Sequence, residues 1–327
     1  MVIQPNMKIG SIVRRPEFKG YEHVAGEMPG FMGKMSNHMT IETMCRMVKT
    51  WDAEAMASGM DYLLECAKKQ KTFYDFWTEE DKAREASKKL TGMAAFPLKK
   101  KAPFVVICAG GGYASVCSMV EAYPIAKRVN ELGFAAFVVQ YRIGKNAVAP
   151  NPVDDLAQAI RFILSHTEEL NVFAEDYAVM GFSAGGHLVA CFGTKEHGYA
   201  KYGICKPTSL ILAYPVISLQ EKTHMGSRKL FLGKQAKSKQ MQKHYSVEEL
   251  ITDTYPASYV WQFDHDDTVP IENTQMLTEA LKKNGIPHVY ETFPGTIHGA
   301  GIGFNTPAEG WLEKAVQFWQ TQAENSK

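Results

Sequence analysis

The sequence has no excess of positive or of negative charge. Its 36 basic and 35 acidic residues leave a formal net charge of +1. Such a balanced chain has no overall field that would attract nucleic acid or an anionic membrane surface. We therefore expect neither nucleic acid nor a membrane as a partner. Long apolar runs are also absent, since no stretch approaches the roughly 20 apolar residues that a membrane-spanning helix needs.

Paired cysteines and a targeting segment are missing as well. The six cysteines are scattered and form no C-x-x-C pair, and several lie in apolar runs, where a thiol behaves as a small hydrophobic group. The first residues contain no basic region followed by an apolar run, so we expect no signal peptide. These absences favour reduced thiols and a cytoplasmic protein over a disulfide-linked secreted one.

Regular alternation of strands and helices is absent from the first hundred residues. This part holds most of the 16 methionines, and its opening residues, rich in Gly and Pro, are typical of an irregular surface arm. Apolar residues recur at helical spacing over about 41–70, which predicts a helix that Gly59 interrupts. Thr78-Glu79-Glu80-Asp81 resembles a capping box and predicts a polar helix to about Leu90. We expect residues 1–100 to form a helical extension, either a cap over a site or a contact between copies of the chain.

From residue 101 onward, the sequence alternates between short apolar runs and helical patterns. The predicted strands lie at 104–108, 135–141, 177–180, 209–214, 258–263 and 288–293. The predicted helices lie at 121–132, 152–166, 272–284 and 308–323. Repeated strand–helix units are typical of a doubly wound, mostly parallel sheet with helices on both faces. We therefore predict an α/β fold for residues 101–327, in which the irregular stretch 218–255 forms small helices or a lid.

One tight turn dominates this second part of the chain. Gly181-Phe182-Ser183-Ala184-Gly185 follows an apolar strand and precedes an apolar helical run. Glycines two residues on either side of a serine permit a strained strand-to-helix turn that lifts the hydroxyl above the edge of the sheet. The Ala184 amide, at the start of the helix, would then point to the place where an oxyanion forms. A glycine-rich turn with an idle serine is the alternative.

A serine hydroxyl that reacts needs a base, and the base needs an anion. His298 follows the last predicted strand in a loop of glycines and a proline, from which an imidazole can reach over the sheet. Asp264-His265-Asp266-Asp267 follows the preceding strand and offers three carboxylates. His187 lies on the helix that leads away from Ser183, which favours capping or packing. The acidic cluster could also be read as metal ligands, but adjacent residues rarely bind one ion and no second ligand cluster is found.

A glycine-rich loop follows the first strand of this second part. Ala109-Gly110-Gly111-Gly112-Tyr113 would bring backbone amides close to a substrate and leave them free to donate to an oxyanion. A cradle for the phosphates of a dinucleotide is the alternative. The next strand ends in Gln140-Tyr141-Arg142 and provides no acid for a ribose hydroxyl, which argues against that alternative. We therefore expect neither a cofactor nor a metal ion.

These motifs run in the order of a known family. The chain from about Phe104 to its end resembles an α/β-hydrolase of the esterase branch, and more narrowly the carbohydrate esterases that include acetyl-xylan and feruloyl esterases. The resemblance is carried by Gly110-Gly111-Gly112-Tyr113, Gly181-Phe182-Ser183-Ala184-Gly185-Gly186-His187, Ala213-Tyr214-Pro215-Val216, Asp266-Asp267-Thr268-Val269-Pro270 with Glu272-Asn273, and His298-Gly299.

The resemblance implies a role for each of these groups. In the family pattern the acid stands four residues before the proline, which selects Asp266 from the three carboxylates. The implied catalytic residues are Ser183 as nucleophile, His298 as base and Asp266 as acid. The implied oxyanion donors are the amides of Ala184 and of Gly111 or Gly112.

Taken together, these residues favour a serine carboxylester hydrolase that forms an acyl-enzyme. Its expected substrates are small neutral esters, with acetyl or aromatic acyl groups on a sugar as candidates. The same triad would support a peptidase or amidase, although peptidases of this fold usually carry a large extra domain. A non-catalytic binding protein on the same scaffold is a third hypothesis, but it predicts a missing triad member, and this chain has all three.

Overall fold

The computed structural model of the chain describes residues 2–27, 30–48 and 50–325. Its strands are β1 (Phe73–Tyr74), β2 (Gly92–Phe96), β3 (Ala102–Cys108), β4 (Ala135–Gln140), β5 (Val172–Phe182), β6 (Ser209–Ala213), β7 (Ala257–Phe263) and β8 (His288–Phe293). They form one eight-stranded sheet in the order β1-β2-β4-β3-β5-β6-β7-β8. β1, β2 and β4 pair antiparallel, and the remaining neighbours pair parallel.

Helices connect these strands and precede them. Within the described residues they are α1 (Ile9–Val13), α2 (Gly30–His38), α3 (Ile41–Met47), α4 (Ala53–Lys69), α5 (Glu79–Arg84), α6 (Ser118–Glu121), α7 (Tyr123–Glu131), α8 (Asn151–Ser165), α9 (Ser183–Gly193), α10 (Met225–Leu232), α11 (Lys239–His244), α12 (Glu272–Lys283) and α13 (Trp311–Asn325). In this described part of the chain, no helix has the length and apolar character needed to cross a membrane.

The centre of the sheet is covered on both faces. Every residue of β4 and every residue of β6 is buried. Because successive side chains of a strand point to opposite faces, complete burial requires packed layers above and below. α7 packs against β4, and α9 packs against β3, β5 and β6. The predicted α/β fold with a mostly parallel, doubly wound sheet is therefore confirmed.

The sheet begins earlier in the chain than the sequence analysis predicts. The strands expected after residue 101 are confirmed, but β1 and β2 come from the first hundred residues, where no strand is predicted. β2 pairs with β4 along its whole length, from Gly92 opposite Gln140 to Phe96 opposite Ala136. Since its Gly-Met-Ala-Ala-Phe sequence has little β-propensity, burial beside β4 rather than local preference makes it a strand. The N-terminal part thus supplies one edge of the same sheet.

The first residues pack into the core, although an irregular surface arm is expected there. Ile9, Ile12, Val13 and Phe18 are buried. They belong to the same apolar cluster as the strands of the sheet. This packing is not predicted from the sequence, because the segment is rich in Gly and Pro and its few large apolar residues show no regular spacing. The helical extension is therefore continuous with the body of the protein.

The helical segment of the extension breaks at a different place from the one predicted. α3 and α4 are separated by residues 48–52, and the Asp52 side chain caps α4 by accepting a hydrogen bond at its N-terminus. Gly59 lies inside α4. A Cβ at this position would lie 2.6 Å from the backbone nitrogen of Pro124 in α7. The glycine is explained by the close approach of two helices, and the predicted interruption there is wrong.

The polar helix expected after Thr78 forms, but it is short. Thr78 and Asp81 exchange side-chain-to-backbone hydrogen bonds, which confirms the capping box. Acidic residues fill the first turn of α5, where they stabilise the positive end of the helix. α5 ends at Arg84, and a separate 3-10 turn takes the place of the expected continuation to Leu90.

The stretch at 218–255 contains α10 and α11 together with short 3-10 turns. Its large side chains Phe231, Tyr245 and Val247 are buried. The stretch is therefore packed against the body as a set of small helices, one of the two outcomes expected from the sequence. Movement of this stretch as a lid, and contact between copies of the chain through the extension, stay predictions.

The packing at Gly59 predicts the effect of one added methyl group. Gly59→Ala should lower the free energy of unfolding by about 1–3 kcal/mol, because the new Cβ overlaps the backbone of α7. Urea denaturation measures the change. Gln320→Ala, at an exposed position of α13, is the control and should stay within about 0.5 kcal/mol of the wild type. Equal stability of Gly59→Ala and the wild type would contradict the proposed helix contact.

Candidate active site

The turn between β5 and α9 is built around two close backbone contacts. A Cβ on Gly181 would lie 2.4 Å from the Gly185 carbonyl oxygen, and a Cβ on Gly185 would lie 2.2 Å from the Cys108 carbonyl oxygen. Neither position can carry a side chain without moving the backbone. Ser183 itself has a φ of 52°, a strained value for a residue with a Cβ. This turn fixes the serine at the carboxyl edge of the sheet.

Three side chains from distant loops meet at this turn. The Ser183 hydroxyl lies 2.9 Å from Nε2 of His298, and Nδ1 of the same imidazole lies 2.7 Å from Oδ2 of Asp266. The Asp266 side chain is fully buried, and that of His298 is 13% exposed. The serine, histidine and carboxylate singled out from the sequence are therefore in direct hydrogen-bond contact.

Several donors hold the carboxylate that faces the imidazole. Oδ1 of Asp266 accepts hydrogen bonds from the amides of Thr268 and Val269, each at 2.9 Å. Oδ2 accepts a further bond from the Gln262 side chain at 3.1 Å. These donors hold the carboxylate in place with Oδ2 towards the imidazole.

The two neighbouring acids have other partners. Asp264 accepts a hydrogen bond from the Gly295 amide at 2.8 Å, which ties the loop after β7 to the loop that carries His298. Asp267 is exposed and accepts a hydrogen bond from the Thr268 hydroxyl at 2.9 Å. Geometry therefore separates the three carboxylates, and Asp266 alone of them contacts the imidazole.

The glycine-rich loop after β3 faces Ser183. Gly111 and Gly112 have φ values of 122° and 63°, which favour glycine. Neither of their amides donates to an acceptor among the described residues. The Ala184 amide lies in the first turn of α9, where backbone amides have no acceptor within the helix. These amides are thus free to donate to a substrate oxygen.

His187 has a structural place beside this loop. Its Nδ1 accepts a hydrogen bond from the Tyr113 hydroxyl at 2.9 Å, and its Nε2 donates to the Tyr245 carbonyl at 2.9 Å. The packing role expected for it from the sequence agrees with these contacts. Burial lowers the pKa of this imidazole to about 4, so it stays neutral near pH 7.

A cleft of about 640 Å³ opens above the serine. The residues that line it come from several loops and include the serine and the imidazole. They are Val48, Thr50, Trp51, Gly111, Gly112, Cys117, Glu121, Ser183, His224, Asp267, Thr268, Thr296, Ile297, His298 and Gly299. No lysine or arginine of the described chain is among them.

Trp51, Glu121 and His224 are among the lining residues that sequence reasoning misses. In the sequence, Trp51 is one of the apolar residues that recur at helical spacing. In the structure, it lies in the break between α3 and α4. Glu121 reads as the start of a helix, although it is buried. His224 is not among the histidines that the sequence analysis singles out. No local pattern marks these residues, because their place depends on how separate segments pack.

His224 is one of the residues that line the cleft. The Ser227 amide donates to Nδ1 of His224 at 3.2 Å, and an amide can only donate, so the proton of the neutral imidazole lies on Nε2. Burial lowers the pKa of His224, and the nearby His298 lowers it further. A Cβ on Gly112 would lie 3.3 Å from Cε1 of His224, which places the ring beside the glycine loop.

One group of residues has the spacing of metal ligands, within the part of the chain that the structure describes. Glu196, His197 and His244 place one ligand atom each within 4.8 Å of the others. Nε2 of His197 already lies 2.7 Å from the His244 carbonyl, which is a stable arrangement without an ion. None of the three lines the cleft above Ser183.

Comparison with known proteins places this chain in a family. A model of the BD-FAE family matches residues 95–281, which is more than half of the chain. The chain belongs to the BD-FAE family. The match includes Ser183 and Asp266 but ends before His298, and Trp51 also lies outside it. As the sequence resemblance implies, this chain is an α/β-hydrolase of the carbohydrate-esterase group. Several solved proteins share its fold.

Individual relatives of this BD-FAE chain are longer proteins. Endo-1,4-beta-xylanase B of Butyrivibrio fibrisolvens is 30% identical over 226 residues, which are 66% of this chain and 35% of that protein. Acetylxylan esterase of Xylanibacter ruminicola is 32% identical over 200 residues, which are 59% of this chain and 40% of that protein. The chain thus spans well under half the length of these two relatives.

A solved structure matches over most of its own length. The acetyl ester-xyloside bifunctional hydrolase of Caldicellulosiruptor lactoaceticus superposes with a TM-score of 0.67 and 28% identity. The superposition covers 78% of this BD-FAE chain and 96% of that structure.

The buried His187 predicts a loss of stability in acid. Between pH 6.5 and about 4 the unfolded chain binds a proton at this imidazole that the folded chain excludes. Stability therefore falls as the pH falls through this window. His187→Gln keeps a donor and an acceptor but cannot take the proton, so it should reduce the loss at pH 4 by on the order of 2 kcal/mol.

Urea denaturation at pH 7, 5.5 and 4 measures this difference. His265→Gln, an exposed histidine, is the matched control and should keep the wild-type pH dependence. If His187→Gln loses stability towards pH 4 as steeply as the wild type, His187 does not exclude the proton.

Proposed function

We propose that this protein is a serine carboxylester hydrolase that works through an acyl-enzyme. The observation that supports this most is the hydrogen-bonded chain from the Ser183 hydroxyl through His298 to the buried Asp266. An alcohol attacks an ester only if a base removes its proton, and this chain supplies the base together with the anion that orients it. The carbohydrate-esterase family of the chain points to the same chemistry.

The proposed reaction has two similar steps. Nε2 of His298 takes the Ser183 proton while the serine oxygen bonds to the acyl carbon, and the carbonyl electrons move onto the carbonyl oxygen. The amides of Ala184 and of Gly111 or Gly112 stabilise this oxyanion. The bond to the alcohol oxygen then breaks, and the imidazolium gives its proton to the leaving alcohol. Water repeats the sequence on the acyl-enzyme and releases the acid and the free serine.

The proposed substrates are small neutral esters, with acetyl or aromatic acyl groups on a sugar as candidates. The described residues of the cleft lining include no lysine or arginine, and the cleft volume of about 640 Å³ exceeds what an acetyl group alone occupies. Two polar residues, Thr50 and His224, also line this cleft. These groups suit the hydroxyl and ring oxygens of a sugar. Relatives named as acetylxylan esterase and acetyl ester-xyloside hydrolase agree with this choice.

Loss of the nucleophile tests the proposal. Ser183→Ala should lower kcat on p-nitrophenyl acetate by at least about a thousandfold, because no other group replaces the alkoxide. Ser165→Ala, which removes a hydroxyl at the exposed end of α8, is the control and should retain wild-type turnover. Circular dichroism shows that both variants are folded. Unchanged turnover in Ser183→Ala would end the assignment.

Two further measurements separate the alternatives. A fluorophosphonate probe should label Ser183 in the wild type, whereas a non-catalytic binding protein would not react. Turnover of acetyl esters should exceed that of aminoacyl arylamides, whereas a peptidase would show the reverse order.

Substitution of Trp51 tests whether the N-terminal segment contributes to the choice of substrate. Trp51→Ala should lower kcat/KM on acetylated xylose by about tenfold, the value of a lost aromatic contact, and should lower kcat/KM on ethyl acetate less. Trp51→Phe should recover part of the loss. Met47→Ala, an exposed neighbour, should match the wild type on both esters. An equal loss on both esters would contradict a role in binding the alcohol.

A further inference from the structure

A buried carboxylate lies at the base of the cleft and has no part in the reaction described above. Glu121, the last residue of α6, is only 4% exposed. Its Oε2 accepts a hydrogen bond from the Gly110 amide at 2.6 Å, and its Oε1 accepts one from the Tyr214 hydroxyl at 3.0 Å. No lysine or arginine of the described residues pairs with it. A buried acid without a cation is uncommon and needs a physical reason.

The partners of Glu121 belong to the loops that form the site. Gly110 opens the glycine loop that carries the free amides, and a Cβ on it would lie 2.8 Å from the Cβ of Ser183. The Tyr214 hydroxyl also accepts a hydrogen bond from the Gly301 amide at 3.0 Å, in the loop that follows His298. The Tyr214 ring meets the His298 ring edge to face, with 4.9 Å between the centroids. One carboxylate thus connects the glycine loop, the end of β6 and the histidine loop.

Hydrogen bonding and burial act on this carboxylate in opposite directions. Both neighbours donate to its oxygens, which is the arrangement that satisfies an ionised carboxylate. Burial nevertheless raises the pKa of Glu121, because the anion has lost water, and the nearby His298 lowers it. The anion therefore becomes more favourable as positive charge develops on His298.

The other titratable groups that face Glu121 stay neutral near pH 7. Burial raises the pKa of the Cys117 thiol to about 12. Burial also raises the pKa of Tyr141 and of Tyr214 well above the usual range for tyrosine. Among the described residues that contact this carboxylate or lie beside it, His298 is thus the group that gains a positive charge during the reaction.

We propose that Glu121 is a positioning residue that holds the glycine loop against the histidine loop and favours the imidazolium that forms when His298 takes the serine proton. This inference rests on the proposed function, since the imidazolium forms only if Ser183 reacts. Glu121 acts through Gly110 and Tyr214, and it exchanges no proton with the substrate.

Replacement of the carboxylate by an amide tests the proposal. Glu121→Gln keeps the size and one acceptor but removes the charge, so it should lower kcat on p-nitrophenyl acetate by about tenfold or more with little change in KM. The acid limb of the rate of fluorophosphonate labelling should move to lower pH, because the anion that favours a protonated imidazole is gone. Glu131→Gln, the same change at an exposed position of α7, is the matched control and should leave both quantities at their wild-type values.

A second variant probes the connection through Tyr214. Tyr214→Phe removes the hydroxyl that joins Glu121 to Gly301 and should lower kcat in the same way. The losses in the double variant should be smaller than the product of the two single losses, because both changes break one network.

The outcomes separate this inference from the proposed function. If the fluorophosphonate probe fails to label wild-type Ser183, the proposed function fails and this inference fails with it. If wild-type Ser183 is labelled but Glu121→Gln matches Glu131→Gln in kcat and in the acid limb, the inference about Glu121 is wrong while the function stands. A fall in melting temperature with kcat and the acid limb unmoved would make Glu121 a purely structural residue and would also overturn the inference.

Discussion

The approach of α9 to the end of β3 is the constraint on which the site depends. The start of α9 lies so close to this strand that a Cβ on Gly185 would lie 2.2 Å from the Cys108 carbonyl oxygen. Such closeness forces Ser183 into a strained conformation and sets its hydroxyl beside the glycine loop. The strain is maintained by the surrounding sheet, whose central strands are buried on both faces. A looser turn would separate the hydroxyl from the amides that face it.

The remaining groups reach the serine through loops that bind one another. The loop after β7 and the loop after β8 are joined by the Asp264 carboxylate and the Gly295 amide. Asp266 is held by amides of its own turn, and the Glu121–Tyr214 pair lies beneath the imidazole. Each loop is irregular by itself, but hydrogen bonds to buried partners leave it few alternatives. The geometry above the sheet is thus set by polar contacts, whereas the position of the sheet is set by apolar packing.

The sequence predicts the parts of this protein that have local physical causes. Strands after residue 101 are continuous apolar runs, and the turn at Ser183 has glycines where a side chain cannot fit. Ser183, His298 and the three carboxylates of Asp264, Asp266 and Asp267 stand out because each group follows a strand, and parallel strands end at the same edge. The choice of Asp266 among the three comes from the family resemblance. Strand β2 is not predicted from the sequence, because its Gly and Ala residues show no pattern that is typical of a strand. The break before Asp52 and the burial of Glu121 cannot be predicted from the sequence either, since both arise only when distant segments pack together.

Trp51 lies in the break between α3 and α4, a stretch that the BD-FAE match does not include. The N-terminal part therefore supplies one wall of the cleft, while the hydroxyl, imidazole and carboxylate come from the part after β3. The two contributions can diverge separately in evolution. Under the proposed function, a homologue could exchange this wall, and with it the alcohols that it accepts, while the residues proposed to break the ester bond stay the same.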